Sequence, residues 1–171
     1  MSEGELSTQL VYDGREIKWG QLWFEASSGL IDHQSAGEQC QSDKGPIPAG
    51  LYRISLDVDS DAVAKTDKYG QMVPSTKIQR VPESLSPTWG YNRVRLELIK
   101  LDANCASPRD GFYLHDSHKG FTHGCIETTD FFFGTLREYA KSHKNQQLTL
   151  RVRYPTADAS TKGDTYRPSD Q

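Results

Sequence analysis

A chain of 171 residues favours a single domain and can bury one core without staples. Hydrophobic residues at 35% and aromatic residues at 10% exclude wholesale disorder. A net charge of −3 and a pI near 5.9 leave no basic footprint for nucleic acid, and no apolar run approaches the ~20 residues of a membrane span.

In chain order, the start MSEGELSTQL has no basic stretch followed by an apolar one. The expectation is no secretory leader: the protein stays in the cytoplasm or leaves by a route that reads no such signal. Strands are predicted over 9–12 and 16–19, joined by the hairpin dipeptide Asp13-Gly14, and then over 21–26. Ser27-Ser28-Gly29 is a turn cluster, and 30–45 is loop. Gly45-Pro46-Ile47-Pro48-Ala49-Gly50 is stiff punctuation or one wall of a cleft, its two prolines forbidding a helix interior. It opens a half-buried strand over 51–58, where Tyr52, Ile54, Leu56 and Val58 alternate with polar residues.

Residues 59–90 hold Pro74, Pro82 and Pro87 without sustained periodicity. So long a connection predicts a partly ordered flap carrying Tyr69, Met72 and Trp89, against the alternative of a mobile loop without a role. The cleanest strand spans 91–101, followed by strands over 112–115 and 148–154. One helix is predicted after the N-cap cluster Thr128-Thr129-Asp130, with Phe132, Leu136, Tyr139, Ala140 and His143 on one face. Residues 1–154 form the predicted domain. Residues 155–171 contain no aliphatic residue larger than Ala and are expected to form a polar tail, docked through Tyr166. Many short strands and one late helix imply a mostly β fold, a sandwich or a barrel.

Three cysteines, Cys40, Cys105 and Cys125, form no C-x-x-C pair. The odd count indicates neither a disulfide framework nor a zinc ribbon, and it leaves at least one thiol free. Cys40 and Cys105 are expected to be packed or free. The chemistry gathers in 111–127, GFYLHDSHKGFTHGCIE, where His115, His118, His123 and Cys125 fall within eleven residues. A thiolate is the nucleophilic form of cysteine, and an imidazole beside it takes its proton and later returns one to a leaving amine. Gly124 before the sulfur allows backbone N–H groups to reach an oxyanion. His123 either lines the site or contributes only backbone. A backbone carbonyl near Asp116, or Asp116 itself, is the candidate for holding the His115 tautomer, the alternative being an exposed turn carboxylate. His118 is expected in solvent. Zinc held by His115, His118, His123 and Cys125 is the rival chemistry, with a spacing that fits no familiar pattern. A non-catalytic β-sandwich module binding carbohydrate or cell wall through its aromatic residues is the rival without chemistry. A papain-type peptidase is disfavoured because His precedes a late Cys.

His115 upstream of Thr122-His123-Gly124-Cys125-Ile126 resembles the signature of the L,D-transpeptidases, cysteine enzymes that remodel bacterial peptidoglycan. The short gap between His115 and Cys125 is most similar to the compact effectors of that family delivered by type VI secretion. Phe24-Glu25-Ala26-Ser27-Ser28-Gly29 and Gly45-Pro46-Ile47-Pro48-Ala49-Gly50-Leu51-Tyr52 resemble two further segments of those effectors. The resemblance covers about residues 10–154. It departs at Glu127, where the family usually carries Arg or Asn. It implies a β-sandwich-like catalytic domain needing no cofactor or metal, with Cys125 as nucleophile and His115 as base. Gly124, His123 and Asp116 would orient the site or hold the oxyanion. Thr122, Ser28, Gly29 and Tyr69 would touch substrate. The implied reaction is attack on the L,D bond of tetrapeptide stems, through a thioester that water, a D-amino acid or another stem resolves. The implied partners are peptidoglycan stems, a cognate immunity protein and a secretion adaptor. The implied location is the periplasm of a target cell.

Overall fold

The alternating segments close into a ring. The computed structural model describes residues 6–168. The first five residues, on which the leader expectation partly rests, and the last three of the expected tail lie outside the described residues. The strands are β1 (Gln9–Tyr12), β2 (Glu16–Trp19), β3 (Leu22–Ser28), β4 (Gly50–Ile54), β5 (Gln79–Arg80), β6 (Asn92–Leu101), β7 (Tyr113–His115), β8 (Ile126–Thr128) and β9 (Leu148–Val152). They run in the order β4-β9-β1-β2-β3-β8-β7-β6, and a β4–β6 pairing returns to the start. Eight strands therefore make a closed barrel, with β5 added on β6.

The barrel corrects the sandwich expected from the resemblance. The reason lies in β6, ten residues long. Arg93 to Arg95 pair with β7 while Leu96 to Leu101 pair with β4. One strand thus bridges what would otherwise be the rims of two sheets, and closure satisfies edge groups that a sandwich leaves unpaired.

Inside the ring, period-two alternation delivers Leu10, Tyr12, Ile17, Phe24, Tyr52, Ile54, Leu96, Leu114, Ile126, Leu150 and Val152 to one core. The helix α1 (Ser86–Trp89) is a single turn. The longer α2 (Asp130–Ser142) starts where Thr129 Oγ1 accepts from the Phe132 N–H at 3.4 Å. Its Phe132 packs on Trp19 and Phe24, with ring centroids 5.9 and 5.2 Å away. Of the aromatics expected in the core, Trp19, Phe24, Phe132 and Phe133 are buried, whereas Trp23 and Phe131 are exposed.

Ser27 and Ser28 belong to β3, and the predicted turn begins only at Gly29. The 51–58 strand ends at Ile54. Residues 59–90 form an ordered flap, pinned by a Val58–Ile78 bridge and by β5, with its own small cluster of Ala64, Met72 and Val81 under Leu85 and Trp89.

Two features depart from the sequence expectations. Cys40 and Cys105 are bonded as a disulfide across 65 residues, with Cα atoms 5.2 Å apart. It joins the loop after β3 to the loop after β6, which closure of the barrel brings together; an odd cysteine count could not reveal that pairing. The C-terminal segment does dock, but through Thr161, Gly163 and Thr165, while Tyr166 stays mostly exposed. A Cβ on Gly163 would lie 2.2 Å from the Ala26 carbonyl oxygen and 2.3 Å from that of Arg15, so only glycine passes there. Small polar residues bonding to backbone carry no hydrophobic signature.

Candidate active site

On β6, β7 and β8 the alternate side chains face away from the core. They are Arg93 and Arg95 on β6, Tyr113 and His115 on β7, and Glu127 on β8 with Cys125 just before it. The register pairs Arg93 with His115, Arg95 with Tyr113, and His115 with Glu127. One step back along β8 sets Cys125 beside Tyr113, whose N–H donates to the sulfur at 3.4 Å. His115 is therefore the diagonal neighbour of Cys125 on one face. Cys125 is the one free cysteine and is half-buried.

His115 is buried beneath the flap, its ring 5.3 Å from that of Trp89. Its Nδ1 lies 3.0 Å from Ser117 Oγ, and Ser117 Oγ donates to Glu127 Oε2. A hydroxyl has one proton, and here the carboxylate takes it. Ser117 Oγ must then accept from His115 Nδ1–H, which leaves Nε2 as the basic nitrogen. The buried Glu127 also accepts from the N–H groups of Lys119 and Gly120 at 2.8 and 2.7 Å and from Thr165 Oγ1 at 2.7 Å. Its position opposite His115 follows from strand alternation after Cys125, a signal present in the sequence. Ser117, two residues after His115, completes a His–Ser–Glu relay that sequence reasoning did not identify.

Burial pushes the Cys125 thiol up, against the Tyr113 N–H and the Lys119, Arg93 and Arg95 cations, which pull it down. Burial holds the His115 imidazolium down to about 3, helped by Lys119 and Arg93 and opposed by the Trp89 carbonyl. The resting pair is thus a neutral thiol beside a neutral imidazole, and no standing ion pair is needed.

The loop before Cys125 is shaped by internal bonds. Gly124 has φ +132, and a Cβ there would lie 2.7 Å from Arg109 Nη2 and 2.8 Å from the Phe112 ring. Its N–H donates to Thr122 Oγ1 at 3.1 Å. The Gly124 amide is therefore engaged within the loop. Thr122 Oγ1 in turn donates to the Cys125 carbonyl at 2.6 Å and accepts from Gly29 N–H at 3.1 Å. Ser28 Oγ donates to the Gly124 carbonyl at 3.1 Å and accepts from Ile47 N–H at 2.9 Å. Ser28, Gly29 and Thr122 therefore build the loop from within. The Gly-Pro-Ile-Pro run is drawn to the same loop by Arg109, unremarked in the sequence. Its guanidinium donates to the carbonyls of Gln39, Gly45, Pro46 and His123 at 2.7 to 3.3 Å.

His123 takes the second of its two readings, and Asp116 departs from both of its own. His123 turns outward, Nδ1 donating to the Asp43 carbonyl at 3.0 Å, so only its backbone serves the loop. Asp116 neither orients His115 nor sits in an exposed turn. It is buried and accepts from the N–H groups of Tyr91 and Asn92 at 2.6 and 2.8 Å and from Asn92 Nδ2 at 2.9 Å, fastening the start of β6. Tyr69 stands exposed on a turn around Asp67, with the Lys68 ammonium over its ring. His118 is exposed, its carbonyl accepting from Arg167 N–H at 3.0 Å.

An open groove of about 580 Å³ lies apart from this face, lined by Gln39, Asp102, Arg151 and Tyr154 among others but not by Cys125 or His115. Among the described residues no group of three or more His, Cys, Asp or Glu side chains could hold a metal ion, and no helix is long and apolar enough to cross a membrane. No protein-family model matches the chain, and no curated protein matches it.

Proposed function

We propose that the chain is a cysteine acyl-transfer enzyme acting on peptidoglycan tetrapeptide stems, an L,D-carboxypeptidase or L,D-transpeptidase. The observation that carries this reading is a single free thiol sharing one face with a buried histidine whose Nδ1 is fixed by Ser117 and Glu127. Cys125 Sγ attacks the stem carbonyl while its proton passes to His115. The Trp89 carbonyl favours the imidazolium so formed, with Glu127 one hydroxyl away as counter-charge. Collapse of the tetrahedral adduct breaks the C–N bond, and the departing D-Ala amine takes the proton from His115. Water or an amine then attacks the thioester, and the thiol is restored.

The Cys40–Cys105 disulfide supports an oxidising place of work such as the periplasm, since such bonds are rare in reducing cytoplasm. Delivery by type VI secretion, with an immunity protein guarding the producer, is part of the same proposal and rests on the resemblance.

The test is muropeptide mass spectrometry on the purified, oxidised full chain. It should release D-Ala from tetrapeptide stems, and Cys125→Ala and His115→Ala should each abolish release. Undiminished release by Cys125→Ala would overturn the mechanism. Sacculus binding that survives Cys125→Ala with no wild-type turnover would instead identify a binding module.

A further inference from the structure

The outward side chains of β6 to β8 stand in two rows. Arg93, His115 and Glu127 form one; Arg95, Tyr113 and Cys125 form the other. The cations around the thiol are not equivalent. Arg93 donates from Nε to Gln79 Oε1 at 3.0 Å and from Nη2 to the Val73 carbonyl at 3.1 Å, and it lies over the Trp89 and Tyr113 rings. The Lys119 ammonium sits over the Phe121 ring. Arg95 also lies over the Tyr113 ring, 5.5 Å from its centroid, but its Nε is buried and, among the described residues, has no hydrogen-bond partner. Its Nη2 is 3.5 Å from Asp110 Oδ1, longer than the ~2.7–2.9 Å of a good charge-assisted bond.

Nε and Nη2 form one edge of the guanidinium, a fork that matches the two oxygens of a carboxylate. One tooth is orphaned in a buried position and the other is loosely held by an exposed acid. A donor left so is costly until a ligand satisfies it. Two strand spacings, roughly 10 Å, separate the Arg95 and Cys125 backbones. The long arginine side chain and one residue of peptide, about 3.8 Å from Cα to Cα, span that gap.

We infer that Arg95 binds the free C-terminal carboxylate of the substrate beside Cys125, displacing Asp110, so that the enzyme works on chain ends and expels a single terminal residue. This assignment rests on the acyl-transfer reading above. It makes Arg95 a specificity residue, with Asp110 as the internal anion it exchanges for substrate.

Alkylation of Cys125 in the full chain tests the anion site without any turnover. Iodoacetate and iodoacetamide both form an S–C bond and expel iodide, but only iodoacetate carries a carboxylate. The ratio of their rates should fall about tenfold in Arg95→Gln. Arg95→Lys, which keeps the charge and loses the fork, should recover only part of it. Asp110→Asn should raise the ratio, and it carries the test should Arg95→Gln not fold. A ratio unmoved by Arg95→Gln, or by Asp110→Asn where Arg95→Gln is not folded, overturns the assignment. In a second arm, wild-type protein meets a tetrapeptide and its C-terminal amide. Turnover of both alike, with a flat alkylation ratio, sinks the Arg95 assignment and leaves acyl transfer standing. Turnover of neither, with an Arg95-dependent ratio, does the reverse.

Discussion

Strands β6, β7 and β8 present two faces built from alternate residues of the same short segments. Inward stand Val94, Leu96, Leu114 and Ile126, all fully buried and interchangeable in chemistry. Outward stand Arg93, Arg95, Tyr113, His115, Cys125 and Glu127, and no two of those play the same part. The inner face stabilises by area removed from water, which tolerates any close-packing apolar shape. The outer face is also largely covered, by the flap and the C-terminal segment, yet it is polar and, Arg95 Nε apart, held by specific hydrogen bonds. Burial alone therefore does not separate core from site here; pairing does.

That contrast can be broken from either side. The largest effect belongs outward: Cys125→Ala and His115→Ala should each cut D-Ala release by about 10³-fold or more while the far-UV spectrum is unchanged. Next comes the tie that brings the two loops together. Cys40→Ala with Cys105→Ala removes a cross-link closing 65 residues and should cost about 4 kcal/mol in urea unfolding. On the inner face, Leu114→Ala should cost ~3 kcal/mol, read in the same way, with turnover of the remaining folded protein intact. Ser117→Ala should do the opposite, losing roughly 1–3 kcal/mol of stability but slowing turnover more than that by freeing the His115 ring.

The smallest effect sharpens the comparison through pH. His115 is held neutral, its pKa lowered from 6.5 to about 3. The unfolded chain then binds a proton that the folded chain refuses, so stability falls as pH drops from about 6.5 towards about 3. The slope from this one group is about 1 kcal/mol per pH unit near pH 5. Unfolding midpoints measured across that window should fall less steeply in His115→Asn. An equal slope in the variant would show that His115 already carries its proton in the folded protein.

Much of this was legible in the amino-acid order. The alternation in YNRVRLELIK located β6 to within a residue, and the same period predicted that His115 ends an apolar strand. The Thr-Thr-Asp cluster located the start of α2. Barrel closure was not legible, because it depends on β6 pairing at one end with β7 and at the other with β4, strands far apart in the chain, with no local cue to the bend. The disulfide was hidden for a similar reason: pairing is a property of loops brought together, not of spacing. Glu127 was visible only as a departure from the family signature and Ser117 not at all, because their roles needed the register of β7 against β8. Arg109 carried no signal, since its partners are carbonyls.

Thr165, near the C-terminal end of the described chain, hydrogen-bonds the very carboxylate that steadies the Ser117–His115 pair. A nascent or half-threaded polypeptide lacks that strap. The Glu127 carboxylate, and with it the Ser117–His115 pair, would be fully braced only once residues 161–165 have been laid down along β3.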